Sequence, residues 1–257
     1  MAKKNERSTK YQLSAESRKS STEFGYASRL ASVLKDALAP LIFDQYRNAL
    51  HKRLQARITK AIGRGPTAKK GNRTLAEADV SMLKGLELNT HTNFSVLTHS
   101  LLVKVAILVE ERALRIELSA IGPTHFRWPD RAQEAYLTIR CLVVDGQGAI
   151  TERHLLEPLA VARTSAGNPP PRAAVKTGDL EDRMVLVAAG VSFFRTDSEG
   201  EDGLISHNRK YYAAQLVEAA YIKDGEVVVF ADGGKKPPAV ASLPVFDAVM
   251  VKWDADD

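Results

Sequence analysis

The stretch FDQYRNALHKRLQARITKAIGRGP, residues 43–66, decides how the front of this chain folds. Phe43, Tyr46, Leu50, Leu54, Ile58 and Ile62 recur at spacings of three and four, which lines them up along one stripe of an α-helix. The other side carries Arg47, Lys52, Arg53, Arg57 and Lys60, and Gly63-Arg64-Gly65-Pro66 supplies glycine and then proline as stop signals. Upstream, Phe24, Ala27, Ala31, Leu34 and Leu38 repeat the pattern in a helix expected from Ser21, with Glu23 near its positive end and Pro40 closing it. The joint Ala39–Ile42 is short, so the spacing predicts a helical hairpin whose stripes face one another or a shared core.

Outward from the hairpin, residues 65–73 form a basic loop, and Thr74-Leu75-Ala76-Glu77 fits a capping box that starts a short third helix to about Lys84. Residues 1–20 are charged and polar with almost no apolar side chains, which predicts a mobile basic tail. After Gly85 the composition turns β-branched. Strands are expected at Leu86–Leu88, Phe94–Leu97, Leu101–Val109, Arg112–Ser119, Ala135–Val144, His154–Ala162, Met184–Arg195, Tyr211–Ile222, Glu226–Phe230 and Phe246–Trp253. Asp145-Gly146-Gln147-Gly148, Asp224-Gly225 and Asp232-Gly233-Gly234 are turn signals between them. Asn168-Pro169-Pro170-Pro171 and the acidic run 197–202 read as exposed loops. The chain is therefore α+β, a helical hairpin followed by an antiparallel β-sandwich or barrel. Its parts are the tail 1–20, the helical region 21–84 and the β-rich domain 85–257. The competing layout places the hairpin over one face of the sheet.

At 257 residues, 44% hydrophobic and 26% charged, the chain has enough apolar material for its own core, without collagen-like or disordered composition. Its single Cys excludes an internal disulfide and a multi-cysteine metal site. The longest apolar run, Leu101–Val109 with Lys104 inside it, is far below the roughly 20 residues of a membrane span. No apolar segment follows the basic N-terminal residues, so the expected location is cytoplasmic, away from the membrane.

The net charge of +5 hides a division. Residues 1–75 hold 17 Lys and Arg against 5 Asp and Glu, net +12, while residues 76–257 hold 19 against 26, net −7. A basic arm on an acidic body suits either a polyanion or the acidic body of another copy.

Catalytic patterns are missing. The six histidines are scattered without metal-ligand spacing, and the chain has no GxGxxG after a strand, no phosphate-binding GxxxxGK, no GxSxG and no HExxH. Glu110-Glu111 and Glu181-Asp182 are adjacent carboxylates, which on a strand point to opposite faces and so do not read as an acid/base pair. Cys141, inside an apolar strand, reads as an inert buried thiol. No catalytic residue, metal ligand or cofactor is assigned. The densest mixed cluster is Thr124-His125-Phe126-Arg127-Trp128-Pro129-Asp130. It reads either as a recognition loop built on His125, Phe126, Arg127 and Trp128, or as a segment that tucks Phe126 or Trp128 into the core while Arg127 and Asp130 pair at the rim.

Several blocks resemble an uncharacterised protein family common in Bacteroidota, known as a domain of unknown function. They are Glu23-Phe24-Gly25, Ala27-Ser28 and Leu30–Pro40, Arg53-Leu54, Gly71 with Arg73, Leu86-Glu87-Leu88-Asn89, Thr124-His125-Phe126-Arg127 and Gly190-Val191-Ser192-Phe193-Phe194. The resemblance implies a helical front and a β-rich rear and carries no reaction.

Two functions fit these features. The first is a non-enzymatic structural or assembly subunit that self-associates through the basic helical arm and the acidic β-domain. The second is a nucleic-acid-associated protein with the same arm as a phosphate clamp. Both place the interaction on Lys52, Arg53, Arg57, Lys60, Arg64, Lys69, Lys70 and Arg73. Against base recognition, Phe24, Phe43 and Tyr46 sit on the apolar stripes. An enzyme requires a pocket assembled from distant residues around His125, Arg127 and His207.

Overall fold

A computed structural model describes residues 13–42, 47–99, 101–167, 169–196, 202–204 and 209–230. The chain begins with helix α1 (Ala15–Leu38), whose Ser14 hydroxyl accepts from the Ser17 N–H, 3.1 Å away, as an N-cap. Residues 15–20, expected in the tail, belong to this helix. A 3₁₀ turn at Ala39–Leu41 contains Pro40, and α2 (Arg47–Gly63) returns alongside α1. The hairpin is as expected. Leu50, Leu54, Ile58 and Ile62 are fully buried, as are Ala27, Ala31, Leu34 and Leu38. Phe24 departs from the expectation and is 56% exposed. The first turns of α1 are exposed on every side, and there Lys19 touches the loop at Gly71. Phe43 and Tyr46 lie outside the described residues.

The capping-box carboxylate works as read, Glu77 accepting from the Thr74 N–H at 2.9 Å, but it starts no α-helix. Two 3₁₀ turns, Leu75–Glu77 and Val80–Leu83, occupy this stretch and bury Leu75, Val80 and Leu83 under the hairpin.

Among the described residues the β-rich part forms ten strands: β1 (Val103–Leu108), β2 (Ala113–Leu118), β3 (Glu134–Asp145), β4 (Ile150–Leu155), β5 (Leu159–Ala162), β6 (Arg172–Lys176), β7 (Arg183–Thr196), β8 (Asp202–Leu204), β9 (Ala213–Lys223) and β10 (Glu226–Val227). All pairings are antiparallel. The main sheet runs β10-β9-β7-β3-β4, with β5 also on β3 and β8 on β7; a second sheet runs β1-β2-β6.

Alternation along the central strands makes a three-layer body. On β3 and β7, Leu142, Val144, Met184, Leu186 and Ala188 pack with the helices, while Ile139, Cys141, Val143, Val185, Val187 and Ala189 pack with Leu114, Ile116 and Val175 of the small sheet. A bulge leaves Val217 of β9 unpaired between Leu216 and Glu218, so Leu216 and Ala219 both face the helices across a change of parity. The sandwich and its competitor are combined: one face of the main sheet carries helices and the other carries strands. At the turn-bearing end, the Tyr26 hydroxyl donates to the Gly146 carbonyl (3.0 Å) and Asp145 accepts from the N–H groups of Gln147 and Ala149, which ties α1 to the β3–β4 hairpin.

Three expected strands change. Leu86–Leu88 makes a single bridge, Glu87 to Gln215, beside β9. Phe94–Leu97 is a helical turn, α3, because the Glu87 carboxylate accepts the Phe94 N–H (2.9 Å) and the Thr98 hydroxyl bonds back to the Phe94 carbonyl (2.8 Å). His154–Ala162 divides into β4 and β5 around Pro158, which has no N–H to give the ladder. The 197–202 run, expected as a loop, contributes Asp202 to β8, and β6 was not foreseen. Asp232-Gly233-Gly234 and Phe246–Trp253 lie outside the described residues. No helix among the described residues is long and apolar enough to cross a membrane.

Candidate functional site

The cations expected to form an exposed patch mostly bind within the chain. Arg73 is buried. Its Nε and Nη2 each donate to Glu23 at 2.7 Å, and Nη1 donates to the Gly63 and Gly65 carbonyls at 3.1 Å. The Gly71 N–H adds a third bond to the Glu23 carboxylate at 2.7 Å. Hydrogen bonding to Arg73 holds the Glu23 carboxyl below its ordinary range despite burial. The ion pair therefore fixes the 65–73 loop against α1.

Arg53 likewise binds within the chain. Its Nη groups donate to the carbonyls of Glu87 (2.5 Å), Leu88 (2.7 Å) and Asn89 (3.4 Å), pinning α2 to the segment beside β9. Burial pulls its guanidinium down from its ordinary value, partly offset by Glu87. Burial in turn raises the Glu87 carboxyl. Arg64 pairs with the buried Asp79 (2.8 Å), Lys69 with Glu77 (2.8 Å), Lys70 with Glu16 (2.7 Å), and Arg57 donates to the Met82 carbonyl (3.3 Å). Lys52 and Lys60 remain exposed without an ion pair among the described residues. They sit eight residues apart, about 12 Å along one ridge of α2.

The aromatic loop is built inward. Phe126 is buried and meets Trp128 and Phe193 edge-on at centroid distances of 5.9 and 6.2 Å, with Trp128 and Phe193 at 5.6 Å. Trp128 Nε1 donates to the Pro123 carbonyl (2.7 Å), and the Arg163 guanidinium stands 5.8 Å from the indole ring. His125 Nδ1 accepts the Gly122 N–H at 3.1 Å. Arg127 alone of the four is exposed, its own backbone N–H bound to the Leu97 carbonyl. An open depression of about 460 Å³ beside the loop is bounded by Gly122, His125, Arg163, Ser165 and Gly167. It brings together His125 and Arg163; His207 lies outside the described residues.

A different place joins acidic and apolar side chains. The β1–β2 turn carries Glu110 and Glu111 at its tip, closed by the Arg112 N–H on the Val109 carbonyl (3.1 Å) and by Arg112 at φ 49°. The β9–β10 turn has Asp224 and Gly225 at φ 54° and 76°, the two positive values that an Asp-Gly hairpin requires. Glu181 secures it, accepting the N–H groups of Asp224 (2.6 Å) and Gly225 (2.9 Å). Between the two turns lies a groove of about 530 Å³ with Ile107, Leu108, Val109 and Val227 as apolar walls and Glu110, Glu111 and Glu226 at its rim. The sequence showed the carboxylates and the Asp-Gly turn separately. Only tertiary packing sets the two turns side by side.

Cys141 is buried in the core, and burial pushes its thiol up to about 12, far from a reactive thiolate. Among the described residues no group of three or more His, Cys, Asp or Glu side chains is arranged to hold a metal. A scan against protein-family models finds no match for this chain, and no curated protein matches it.

Proposed function

We propose that the protein is a non-enzymatic assembly subunit, in which α2 of one copy docks in the acidic-rimmed groove of the next. The observation that carries this reading is the groove itself: an apolar floor with three carboxylates at its edge, matched by a ridge bearing Lys52 and Lys60, which form no ion pair among the described residues. The apolar stripe of α2 is already committed to the core, so the contact rests on the charged ridge, whose lysines meet the rim carboxylates and fix the orientation of the two copies. Ridge and groove are different surfaces, so the contact is heterologous and propagates into a ring or filament. The resemblance noted above adds no competing activity to this reading.

The nucleic-acid reading has less support, because Arg53, Arg64, Lys69, Lys70 and Arg73 already bind carboxylates or carbonyls. Static light scattering on the eluting protein at low and high salt tests the proposal. Mass above that of one chain is expected at low salt, falling as salt screens the rim. A monomer at high concentration in both conditions overturns it, as does association only when duplex DNA is added.

A further inference from the structure

In the helical part Arg73 is held by a carboxylate and Arg53 by carbonyls through its Nη groups, although the Arg53 Nε is buried without a hydrogen bond. Arg140 is different. It stands on β3 opposite Leu155 of β4, and Arg153 stands opposite Leu142 two residues earlier on β4. Leu142 packs with the helices, so Arg140 and Arg153 share that face of the main sheet as diagonal neighbours, with Cβ atoms about 7–8 Å apart. The Arg140 Nε is buried and makes no hydrogen bond, and among the described residues no carboxylate pairs with either guanidinium.

Two like charges side by side on a sheet repel, and a buried N–H without an acceptor costs its full desolvation. Arg140 responds in the expected direction: burial first, then Arg153, pull its guanidinium below its ordinary value. Thr138, two residues along β3 on the same face, places a hydroxyl nearby, and Leu155 leaves an apolar side chain 57% exposed beside the pair. An anion seated against the outer nitrogens of the two guanidiniums removes the repulsion between them. Two uncompensated positive charges match a dianion better than a monoanion, and guanidinium forks match the oxygens of phosphate.

We propose that Arg140 and Arg153 form a binding site for a phosphate dianion, free or as the monoester of a small molecule, on the helix-side face of the main sheet. The two guanidiniums hold the anion between them, with the Arg140 Nη groups as inner donors and the exposed Arg153 as the outer clamp. The site lies at the β4 edge of the main sheet, opposite the β10 edge that borders the acidic groove, and stands without the assembly reading.

The test follows the Arg140 Nε–Hε resonance of the full-length protein by ¹⁵N NMR during titration with inorganic phosphate, with acetate and chloride at matched ionic strength as separate arms. A saturable shift with phosphate is expected, at least tenfold weaker in Arg153→Gln and partly restored in Arg153→Lys. Arg153 is exposed, so its replacement leaves the fold in place, which the amide spectrum checks. A phenyl phosphate arm separates the sources: tighter binding than inorganic phosphate assigns a monoester, equal or weaker binding assigns the free ion. No shift beyond that in chloride overturns the proposal. So does a response undiminished in Arg153→Gln, or acetate binding as tightly as phosphate.

Discussion

The helical part and the β-turn end of the molecule both carry dense charge, and the structure uses the two sets differently. Around the hairpin, Glu23, Asp79 and Glu77 are matched one to one by Arg73, Arg64 and Lys69, and the pairs bind loops to helices. Between the β1–β2 and β9–β10 turns, Glu110, Glu111 and Glu226 crowd one rim, and no cation is among the described residues lining the same groove. A count of +12 against −7 treats these as equivalent reservoirs of charge. Burial separates them: a paired buried ion is architecture, whereas clustered exposed charge of one sign is available to a partner.

The contrast breaks most visibly at Arg73. Arg73→Ala leaves the Glu23 carboxylate buried without its cation and is expected to lower unfolding stability by about 3 kcal/mol, read from urea denaturation. Leu54→Ala, which opens a cavity between the helices and the sheet, is expected to cost a similar 2–5 kcal/mol. The two effects differ in their pH dependence. Glu23 has its carboxyl lowered in the folded state, so its contribution is complete above the ordinary carboxylate range and disappears as pH falls through the lowered value. The gap between wild type and Arg73→Ala should therefore close in acid, while the gap to Leu54→Ala persists. A gap for Arg73→Ala that is constant with pH contradicts the role given to the pair.

Smaller effects sharpen the comparison. Trp128→Phe keeps the aromatic contacts but removes the bond to the Pro123 carbonyl, for an expected loss of about 1 kcal/mol in the same assay. Lys52→Glu with Lys60→Glu should change stability by no more than about 0.5 kcal/mol, since both lysines are exposed and neither forms an ion pair among the described residues. A large loss there would move those lysines into the architectural set.

Much of the fold was legible where periodicity was long. Leu50, Leu54, Ile58 and Ile62 declared α2, and the β-branched runs at 135–144 and 184–195 declared the two central strands, because each spans many turns or pleats of one repeating pattern. Short segments were decided by partners far away in the chain. Phe94–Leu97 became helical through Glu87, and Leu86–Leu88 was reduced to a bridge beside β9. The site was legible only in part. Charge type could be read at Arg53 and Arg73, but not that both side chains turn inward. Glu110-Glu111 and Asp224-Gly225 are more than a hundred residues apart, and nothing local in either announces that they bound one groove.

The central claim is that opposite charges on α2 and on the groove rim join one copy to the next. A charge-exchange experiment measures this directly, by light scattering at low salt on Glu110→Lys/Glu111→Lys, on Lys52→Glu/Lys60→Glu, and on their equimolar mixture. The account predicts weakened self-association in each variant alone and restored assembly in the mixture, where the unaltered ridge of one variant meets the unaltered rim of the other and the reversed ridge meets the reversed rim. Assembly that persists unchanged in both variants, or a mixture that stays as dissociated as its components, contradicts it.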